Sequence, residues 1–322
     1  MSGMQPDGRA MLRDGFRGAL LGAAVGDALG RPLKGWSAGR IAREHGTVRE
    51  LLPPRGRYTE DTQLTIVVAE WLLEDEPLDA HALARRIERE HEADRGYGRT
   101  TTDFLRRLRA GESWDTAADH AFARGSFGNG AAARIAPCAL LFHQDRGQME
   151  RVAETAASVT HVHPLGIAGA ILQARQIAQA LRARAEPLDS VAFVVELRSS
   201  TSSIEFRQKL RTVEETLGHR PSAEAVRDRL GINATALGSV ATALYGFLSQ
   251  ARSFEDALVF AVNLGGESDS IGAMTGAIAG AYHGAAAIPR RWLDGLERGA
   301  KGRDHLERLA DRLFDKMNLT AA

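Results

Sequence analysis

Two short acidic segments carry the residue types that bind hard metal ions. Each segment stands at the start of an apolar run with helical spacing. The side chains concerned are Thr59, Glu60, Asp61, Glu267, Asp269 and Ser270. If the two helix starts converge, their carboxylates and hydroxyl groups surround one point. Such a cluster repels itself unless cations occupy it, and an all-oxygen ligand set suits Mg²⁺ or Mn²⁺ rather than zinc.

Each acidic segment also has a purely structural interpretation. Thr59 is suited to cap the helix that follows it, and Glu60 and Asp61 then lie in the first turn, where the helix dipole favours negative charge. Acidic first turns are common in proteins. A single segment therefore does not establish a metal site, and the hypothesis depends on the two segments meeting.

A glycine-rich segment lies between the two acidic ones in the chain. It consists of Gly125, Ser126, Phe127, Gly128, Asn129 and Gly130. Exposed backbone N–H groups where such a loop enters a helix can hold a phosphate, although an ordinary turn explains the glycines as well. Further on, His161 and His163 at alternate positions could bind a metal, but a turn before Pro164 is the simpler explanation for His163.

Glycines recur at every fourth position in two of the apolar segments. They are Gly18, Gly22, Gly26 and Gly30 in the first segment, and Gly272, Gly276, Gly280 and Gly284 in the second. This spacing puts each set on one face of a helix. Because each interior glycine costs about 1 kcal/mol relative to alanine, we expect two central helices in a tight bundle, where bare backbone allows close approach.

The rest of the chain predicts an all-α protein with one domain. Helical spacing recurs throughout the 322 residues, and convincing strand patterns are absent. We expect a disordered tail over residues 1–10 and a single domain over residues 11–320. The polar stretch 199–231 has the character of charged, solvated surface helices.

Charge and cysteine content limit the partners and the compartment. Lys plus Arg equals Asp plus Glu at 41 each, so no global field attracts nucleic acid or an anionic membrane. The apolar stretch 271–288 contains Thr275 and His283, which favours a buried helix over a membrane span. The single cysteine, Cys138, follows a proline in an apolar run and is interpreted as a core residue. We expect a cytoplasmic monomer.

The ordered set of motifs resembles the ADP-ribosylglycohydrolase family, which includes the dinitrogen reductase-activating glycohydrolases. The motifs span residues 22–30, 58–62, 126–130, 160–161 and 265–272. The resemblance implies a compact single-domain orthogonal bundle of many helices. It also implies two Mg²⁺ or Mn²⁺ ions, with ADP-ribose in a cleft above them.

The resemblance also implies roles for individual residues. Residues 59–61 match a Thr-Asp-Asp set of metal ligands, and Glu267, Asp269 and Ser270 match an Asp, Asp and Thr set in which Asp269 corresponds to the bridging carboxylate. The loop 125–130 matches the segment that holds the diphosphate, and His161 matches a histidine that lines the ligand cleft. Asp27 matches a structural residue. Glu60 or Asp61 is the candidate general base.

Lys34 departs from the family pattern, because many members carry a glutamate at this place. A lysine here could contact a phosphate or an acidic leaving group, or it could be an ordinary solvated side chain. The expected function is release of ADP-ribose from a protein side chain, a nucleic acid or a small molecule by hydrolysis of the glycosidic bond. Two alternatives are a non-catalytic or weakly catalytic ADP-ribose or target binder, such as a toxin antagonist, and a hydrolase of another nucleotide.

Overall fold

Helices make up the regular structure of the described chain. The computed structural model describes residues 6–74, 78–122, 125–185, 187–219 and 221–320. Within these ranges there is no strand, only isolated β-bridges between Ser37 and Gly265 and between Gly128 and Thr235. The α-helices are α1 (Pro6–Gly30), α2 (Ala38–His45), α3 (Glu60–Leu72), α4 (Ala80–Arg89), α5 (Arg99–Arg109), α6 (Trp114–His120), α7 (Gly130–Ala133), α8 (Ala136–Leu141), α9 (Arg146–Ser158), α10 (Pro164–Arg182), α11 (Ser190–Ser200), α12 (Ile204–His219), α13 (Ala223–Leu230), α14 (Ala236–Ser249), α15 (Phe254–Asn263), α16 (Ser268–His283), α17 (Arg290–Gly295) and α18 (Arg303–Thr320). Short 3₁₀ turns occupy Arg31–Leu33, Ala93–Arg95, Ala183–Ala185 and Ala285–Ala287. The predicted all-α class is confirmed.

The two glycine-striped helices, α1 and α16, pack directly against each other. A Cβ atom on Gly18 would lie 2.2 Å from the carbonyl oxygen of Gly280, and one on Gly26 would lie 2.0 Å from that of Gly272. No side chain fits at such distances, so the glycines permit a backbone contact that alanine would block. Residue numbers rise along one helix as they fall along the other, so the helices are antiparallel. The predicted close pair of central helices is confirmed.

Antiparallel packing brings the end of α1 to the start of α16. The chain after α1 is tied to the turn before α16, since the Gly35 N–H donates to the Gly266 carbonyl and the Gly266 N–H donates to the Trp36 carbonyl, both at 2.8 Å. Gly266 has a φ of +68°, a conformation that favours glycine. This turn holds the segment after α1, including Lys34, beside the acidic start of α16.

Helix α16 lies at the centre of the bundle. Its residues from Ser268 to Ala281 are buried, and α10, α14 and α15 pack around it, while α18 packs on α1. The apolar stretch 271–288 therefore begins in a buried helix, as predicted. In the described ranges, no helix is both long and apolar enough to cross a membrane. Cys138 in α8 is fully buried, which agrees with its interpretation as a core residue.

The helices differ from the sequence prediction at the N-terminus and in the polar stretch 199–231. Helix α1 begins at Pro6 and so includes residues 6–10, for which the sequence predicts a disordered tail. Residues 1–5 lie outside the described residues. The polar stretch 199–231 does form helices, mainly α12 and α13, but both helices have an apolar face that is buried. Phe206 and Leu210 lie on this face of α12, and Val226 lies on that of α13.

Candidate functional site

Asp27 connects the end of α1 to the start of α3. It is fully buried, and its carboxylate accepts hydrogen bonds from the Thr59 N–H at 3.0 and 3.1 Å. It also accepts hydrogen bonds from the Thr62 N–H at 3.1 Å and the Thr62 hydroxyl at 2.6 Å. The first turn of a helix has N–H groups without intrahelical partners, and Asp27 satisfies two of them. Its geometry is that of a structural support for α3.

The two acidic helix starts meet in the structure. Thr59 caps α3, as predicted, because its hydroxyl accepts a hydrogen bond from the Asp61 N–H at 3.2 Å. The Ser270 hydroxyl at the start of α16 donates to Asp61 Oδ2 at 2.6 Å. This buried hydrogen bond joins residues that are 209 positions apart in the sequence. The structure therefore brings residues 59–61 and 267–270 together.

Glu60 lies under the segment that precedes α5. Its Oε1 accepts a hydrogen bond from the Gly98 N–H at 3.0 Å, while its Oε2 is buried and has no hydrogen-bond partner in the described part of the chain. Next to it, the Tyr97 hydroxyl donates to Gln63 Oε1 at 2.5 Å. No local pattern in the sequence links Tyr97 or Gly98 to the acidic segments, so neither residue was predicted to lie at the site.

Lys34 forms an ion pair with the buried carboxylate of Asp269. Its Nζ lies 2.8 Å from Asp269 Oδ2, and apart from this contact neither oxygen of Asp269 has a hydrogen-bond partner among the residues described. Burial disfavours the ammonium, but the carboxylates of Asp269, Asp61 and Glu60 outweigh it and raise the pKa of Lys34. The sequence left a phosphate, an acidic leaving group and solvent as possible partners of Lys34, whereas the structure places it beside carboxylates of the chain itself.

The carboxylates of this cluster disfavour ionisation of one another. Burial raises the pKa of Glu60 to about 8 and that of Asp27 to about 6, and the charge of Asp269 contributes to both shifts. Burial and the charges of Asp269 and Glu60 raise the pKa of Asp61 well above its usual range. The half-buried Glu267 has a raised pKa for the same two reasons, burial and Asp269. A cation at this site would relieve the repulsion.

The donors in this cluster have the chemistry of a hard-metal site. Asp269 Oδ1 and Glu60 Oε2 are buried oxygens without a partner among the described residues, and the neighbouring groups are hydroxyls and carboxylates. As the side chains now stand, no three acidic, histidine or cysteine groups within the described ranges are arranged to hold a metal ion. Contacts with Ser270, the Gly98 N–H and Lys34 occupy several of these carboxylates. The donor types fit a divalent cation, and the ammonium of Lys34 is the counter-charge that the chain itself provides.

The glycine loop 125–130 leads into α7, which packs against both α3 and α16. Three of its N–H groups bond within the protein. Gly125 donates to the Phe122 carbonyl at 2.8 Å, Gly128 donates to Ser126 Oγ at 3.2 Å, and Asn129 donates to the Ala234 carbonyl at 2.9 Å. The aromatic rings of Phe122 and Phe127 meet edge to face at 5.6 Å and remain 43% and 36% exposed. Phe122 was not predicted as a site residue. Exposed aromatic rings beside a glycine loop are suited to stacking on a nucleobase.

His161 lies against the glycine loop. A Cβ atom on Gly128 would lie 3.4 Å from His161 Nε2, and one on Gly130 would lie 3.6 Å from its Cε1. The side chain is almost fully buried, and burial together with the nearby Arg134 cation lowers the pKa of His161 to about 3. Its imidazole is therefore neutral at physiological pH. His163, by contrast, accepts the Leu165 N–H at 3.1 Å and caps α10, which agrees with the turn interpretation.

Comparison with known proteins gives a consistent family. The model of the ADP-ribosylglycohydrolase family matches residues 9–322. The chain is 36% identical over 316 residues to an uncharacterized protein of Archaeoglobus fulgidus, covering 94% of this chain and 97% of the relative. It is 31% identical over 345 residues to the ADP-ribosylhydrolase ARH3 of Danio rerio, covering 95% and 91%. A solved ADP-ribosylglycohydrolase-related protein complex is similar with a TM-score of 0.75 and 32% identity, covering 96% of this chain and 99% of that chain. The chain therefore belongs to the ADP-ribosylglycohydrolase family.

Proposed function

We propose that this protein is a metal-dependent hydrolase that releases ADP-ribose from an ADP-ribosylated substrate by cleaving the glycosidic bond at the distal ribose. The observation that carries the proposal is the convergence of the two acidic helix starts, joined by the 2.6 Å hydrogen bond between Ser270 and Asp61. Helix α7 packs against both helices, so the glycine loop before it adjoins the same cluster. Family membership supports hydrolysis of ADP-ribosylated substrates in general.

The proposed cofactors are two Mg²⁺ or Mn²⁺ ions. The residues that would hold them are Thr59, Glu60, Asp61, Glu267, Asp269 and Ser270. When bound, the ions would neutralise the carboxylates, orient the ribose hydroxyls and lower the pKa of an attacking water. Asp269 Oδ1 supports this assignment, because it is buried and has neither a hydrogen bond nor an ion pair within the described residues.

The chain's own residues would perform the remaining tasks. The free amides of the loop 125–130 and the imidazole of His161 would hold the diphosphate, while Phe122 and Phe127 would stack on the adenine ring. Glu60 or Asp61 would accept the proton of the attacking water as the bond between the anomeric carbon and the leaving group breaks through an oxocarbenium-like transition state. Glu60 Oε2 is the carboxylate oxygen best suited to this role, because it has no competing hydrogen bond in the described chain.

A second candidate function is ADP-ribose binding with little or no turnover. The ion pair between Lys34 and Asp269 favours this alternative, since an ammonium already supplies positive charge at the cluster. Against it, a protein that only binds has little need for four carboxylates held at mutual repulsion around the same point.

A substrate panel separates these functions. Arginine-linked, serine-linked, nucleic-acid-linked and small-molecule ADP-ribose conjugates, and unrelated nucleotides, are incubated with the protein with and without Mg²⁺ or Mn²⁺, and released ADP-ribose is measured. We expect metal-dependent release from one conjugate class. Binding of ADP-ribose without release would favour the second function, and turnover of only an unrelated nucleotide would contradict both.

Asp269→Asn tests the central metal ligand. We expect it to reduce turnover roughly a hundredfold or more, since loss of even an outer partner of a metal typically costs 10–100-fold. The thermal stabilisation by metal should also disappear, because a ligand charge has been removed. Asp315→Asn is the matched control, since this half-exposed carboxylate pairs with Arg13 on the surface. Normal turnover and metal response in Asp269→Asn would overturn the assignment.

A further inference from the structure

A buried chain of hydrogen bonds stands behind His161. The Arg134 Nη2 donates to the Thr160 hydroxyl oxygen at 2.8 Å and to the Ala156 carbonyl at 2.9 Å. The Thr160 hydroxyl oxygen lies 2.7 Å from His161 Nδ1. Arg134 and Thr160 are fully buried, and His161 is 4% exposed. Water therefore has little access to these groups, so their protons need partners within the protein.

The donors and acceptors available determine which group donates in the hydrogen bond between the Thr160 hydroxyl and His161 Nδ1. The guanidinium group donates and cannot accept, so the hydroxyl oxygen of Thr160 accepts from Arg134. Among the residues that the structure describes, the remaining acceptor within reach of the Thr160 hydroxyl proton is His161 Nδ1. If Nδ1 carried a proton instead, the buried hydroxyl proton of Thr160 would have no partner, at a free-energy cost.

We propose that Arg134 is a positioning residue, which acts through Thr160 to hold His161 in the tautomer with its proton on Nε2. The imidazole then presents a neutral N–H donor to the glycine loop, because Nε2 is the nitrogen that lies beside Gly128. A neutral N–H suits a phosphoryl oxygen and keeps its proton while the ligand binds. The role toward ligand rests on the proposed function, since it assumes that the loop holds the diphosphate; the tautomer itself does not.

The state of Arg134 agrees with a positioning role. Its Nε and Nη1 have no hydrogen-bond partner in the described chain, and burial lowers its pKa to about 10. Burying a cation with unpaired donors costs free energy, so packing alone is a poor reason for an arginine here. The cation also disfavours protonation of His161, so the imidazole is neutral and the Thr160 hydroxyl selects between its two neutral tautomers.

The tautomer is measured directly by two-bond ¹H–¹⁵N NMR on ligand-free protein with labelled histidine, with the His161 signals assigned by their absence in His161→Gln. We expect a protonated-type Nε2 and an unprotonated-type Nδ1 in the wild type. Thr160→Ser keeps the hydroxyl and should keep this pattern, whereas Thr160→Val keeps the shape and should give a mixture. Arg134→Met should also shift the pattern toward a mixture, and Arg134→Lys, which retains a donor, should restore part of it.

ADP-ribose titration tests the role toward ligand. Calorimetry is done in saturating Mg²⁺, so that metal occupancy is the same in both variants. Thr160→Val should then bind ADP-ribose about tenfold or more weakly than Thr160→Ser. A wild-type His161 with its proton on Nδ1, or charged at pH 7, would overturn the proposal. So would an unchanged tautomer in both Thr160→Val and Arg134→Met. If the tautomer is as expected but wild-type protein does not bind millimolar ADP-ribose, the proposed function fails and the positioning role of Arg134 stands.

Discussion

Lys34→Met tests whether the lysine ammonium supplies charge that a divalent ion can replace. The substitution keeps an unbranched side chain and removes the partner of Asp269, which is fully buried and lies 2.8 Å from the Lys34 Nζ. Removing one member of a buried ion pair costs about 3–5 kcal/mol, because the other charge stays buried without compensation. Since the Lys34 side chain is 37% exposed, water screens the pair, and we expect about 2–3 kcal/mol without metal.

This free energy converts to a measurable change in melting temperature. An unfolding entropy of about 2.1 cal/mol/K per residue gives about 0.7 kcal/mol/K for this 322-residue chain. The melting temperature of Lys34→Met should therefore fall by about 3–4 °C in chelator. In saturating Mg²⁺ the difference from wild type should close, since a cation near Asp269 restores the missing positive charge. The rise in melting temperature caused by Mg²⁺ should thus be larger in the variant.

Lys301→Met is a matched control for this experiment. The Lys301 side chain is 33% exposed and pairs with the largely buried Glu70, at a place unrelated to the acidic helix starts. Because Glu70 keeps Arg86 and His305 as partners, Lys301→Met should lower the melting temperature in chelator by less than Lys34→Met, and without any recovery in Mg²⁺. Calorimetric unfolding of the three proteins across a Mg²⁺ titration, with metal affinity measured by isothermal titration, provides the data. Equal Mg²⁺ responses in wild type and Lys34→Met, or equal recovery in Lys301→Met, would refute the reasoning.

Two further predictions concern stability. Gly26→Ala should prevent native packing of α1 on α16 or lower stability by about 3 kcal/mol or more, because its methyl group would lie 2.0 Å from a backbone oxygen. Gly39→Ala is the control and should be nearly neutral, because its methyl group would meet only a flexible side chain at 3.5 Å. Similar melting curves for the two variants would contradict the packing argument. Burial alone would raise the pKa of Glu70, but hydrogen bonds from Lys301 and His305 outweigh it and lower that pKa. The Glu70 carboxylate should therefore contribute fully to stability above the unfolded pKa of about 4.3, and this contribution should be lost as the pH falls through the folded pKa. The stability difference between wild type and Glu70→Gln should accordingly shrink on acidification below about pH 4, and a constant difference from pH 7 to pH 3 would argue against this linkage.

Local signals in the sequence were sufficient for the all-α class, for the two glycine-striped helices and for the two acidic starts. The cap at Thr59 and the fourfold spacing of glycines depend on neighbours within a turn or two, so the pattern alone indicates them. The meeting of Ser270 with Asp61 was a hypothesis that the sequence could state but not establish. It depends on how α1 and α16 align, and one residue of slip along the stripe would move these side chains apart.

Contacts between distant segments explain what sequence reasoning missed. The Gly98 N–H reaches Glu60 because the segment before α5 folds back over the start of α3, and nothing near Gly98 in the chain signals this. The alternatives for Lys34 were a phosphate, an acidic leaving group or solvent, and none of them includes its actual neighbour Asp269, which is 235 positions away. The pair forms because the turn at Gly266 docks the chain after α1 against α16.

The glycine stripes and the candidate site are consequences of the same contact. Asp27 fixes the start of α3 from one helix, and Asp269 and Ser270 approach it from the other, so the separation of α1 and α16 sets the distance between the two acidic starts. Backbone-to-backbone packing fixes that separation more narrowly than interlocking side chains would, since a side chain can change rotamer and a carbonyl in a helix cannot. A cluster of mutually repelling carboxylates needs such a rigid support, because the repulsion that favours cation binding also favours spreading of the helices. Each interior glycine lowers the stability of its helix, and preorganisation of the proposed metal ligands offsets this loss. Interlocking side chains alone would not provide the same preorganisation.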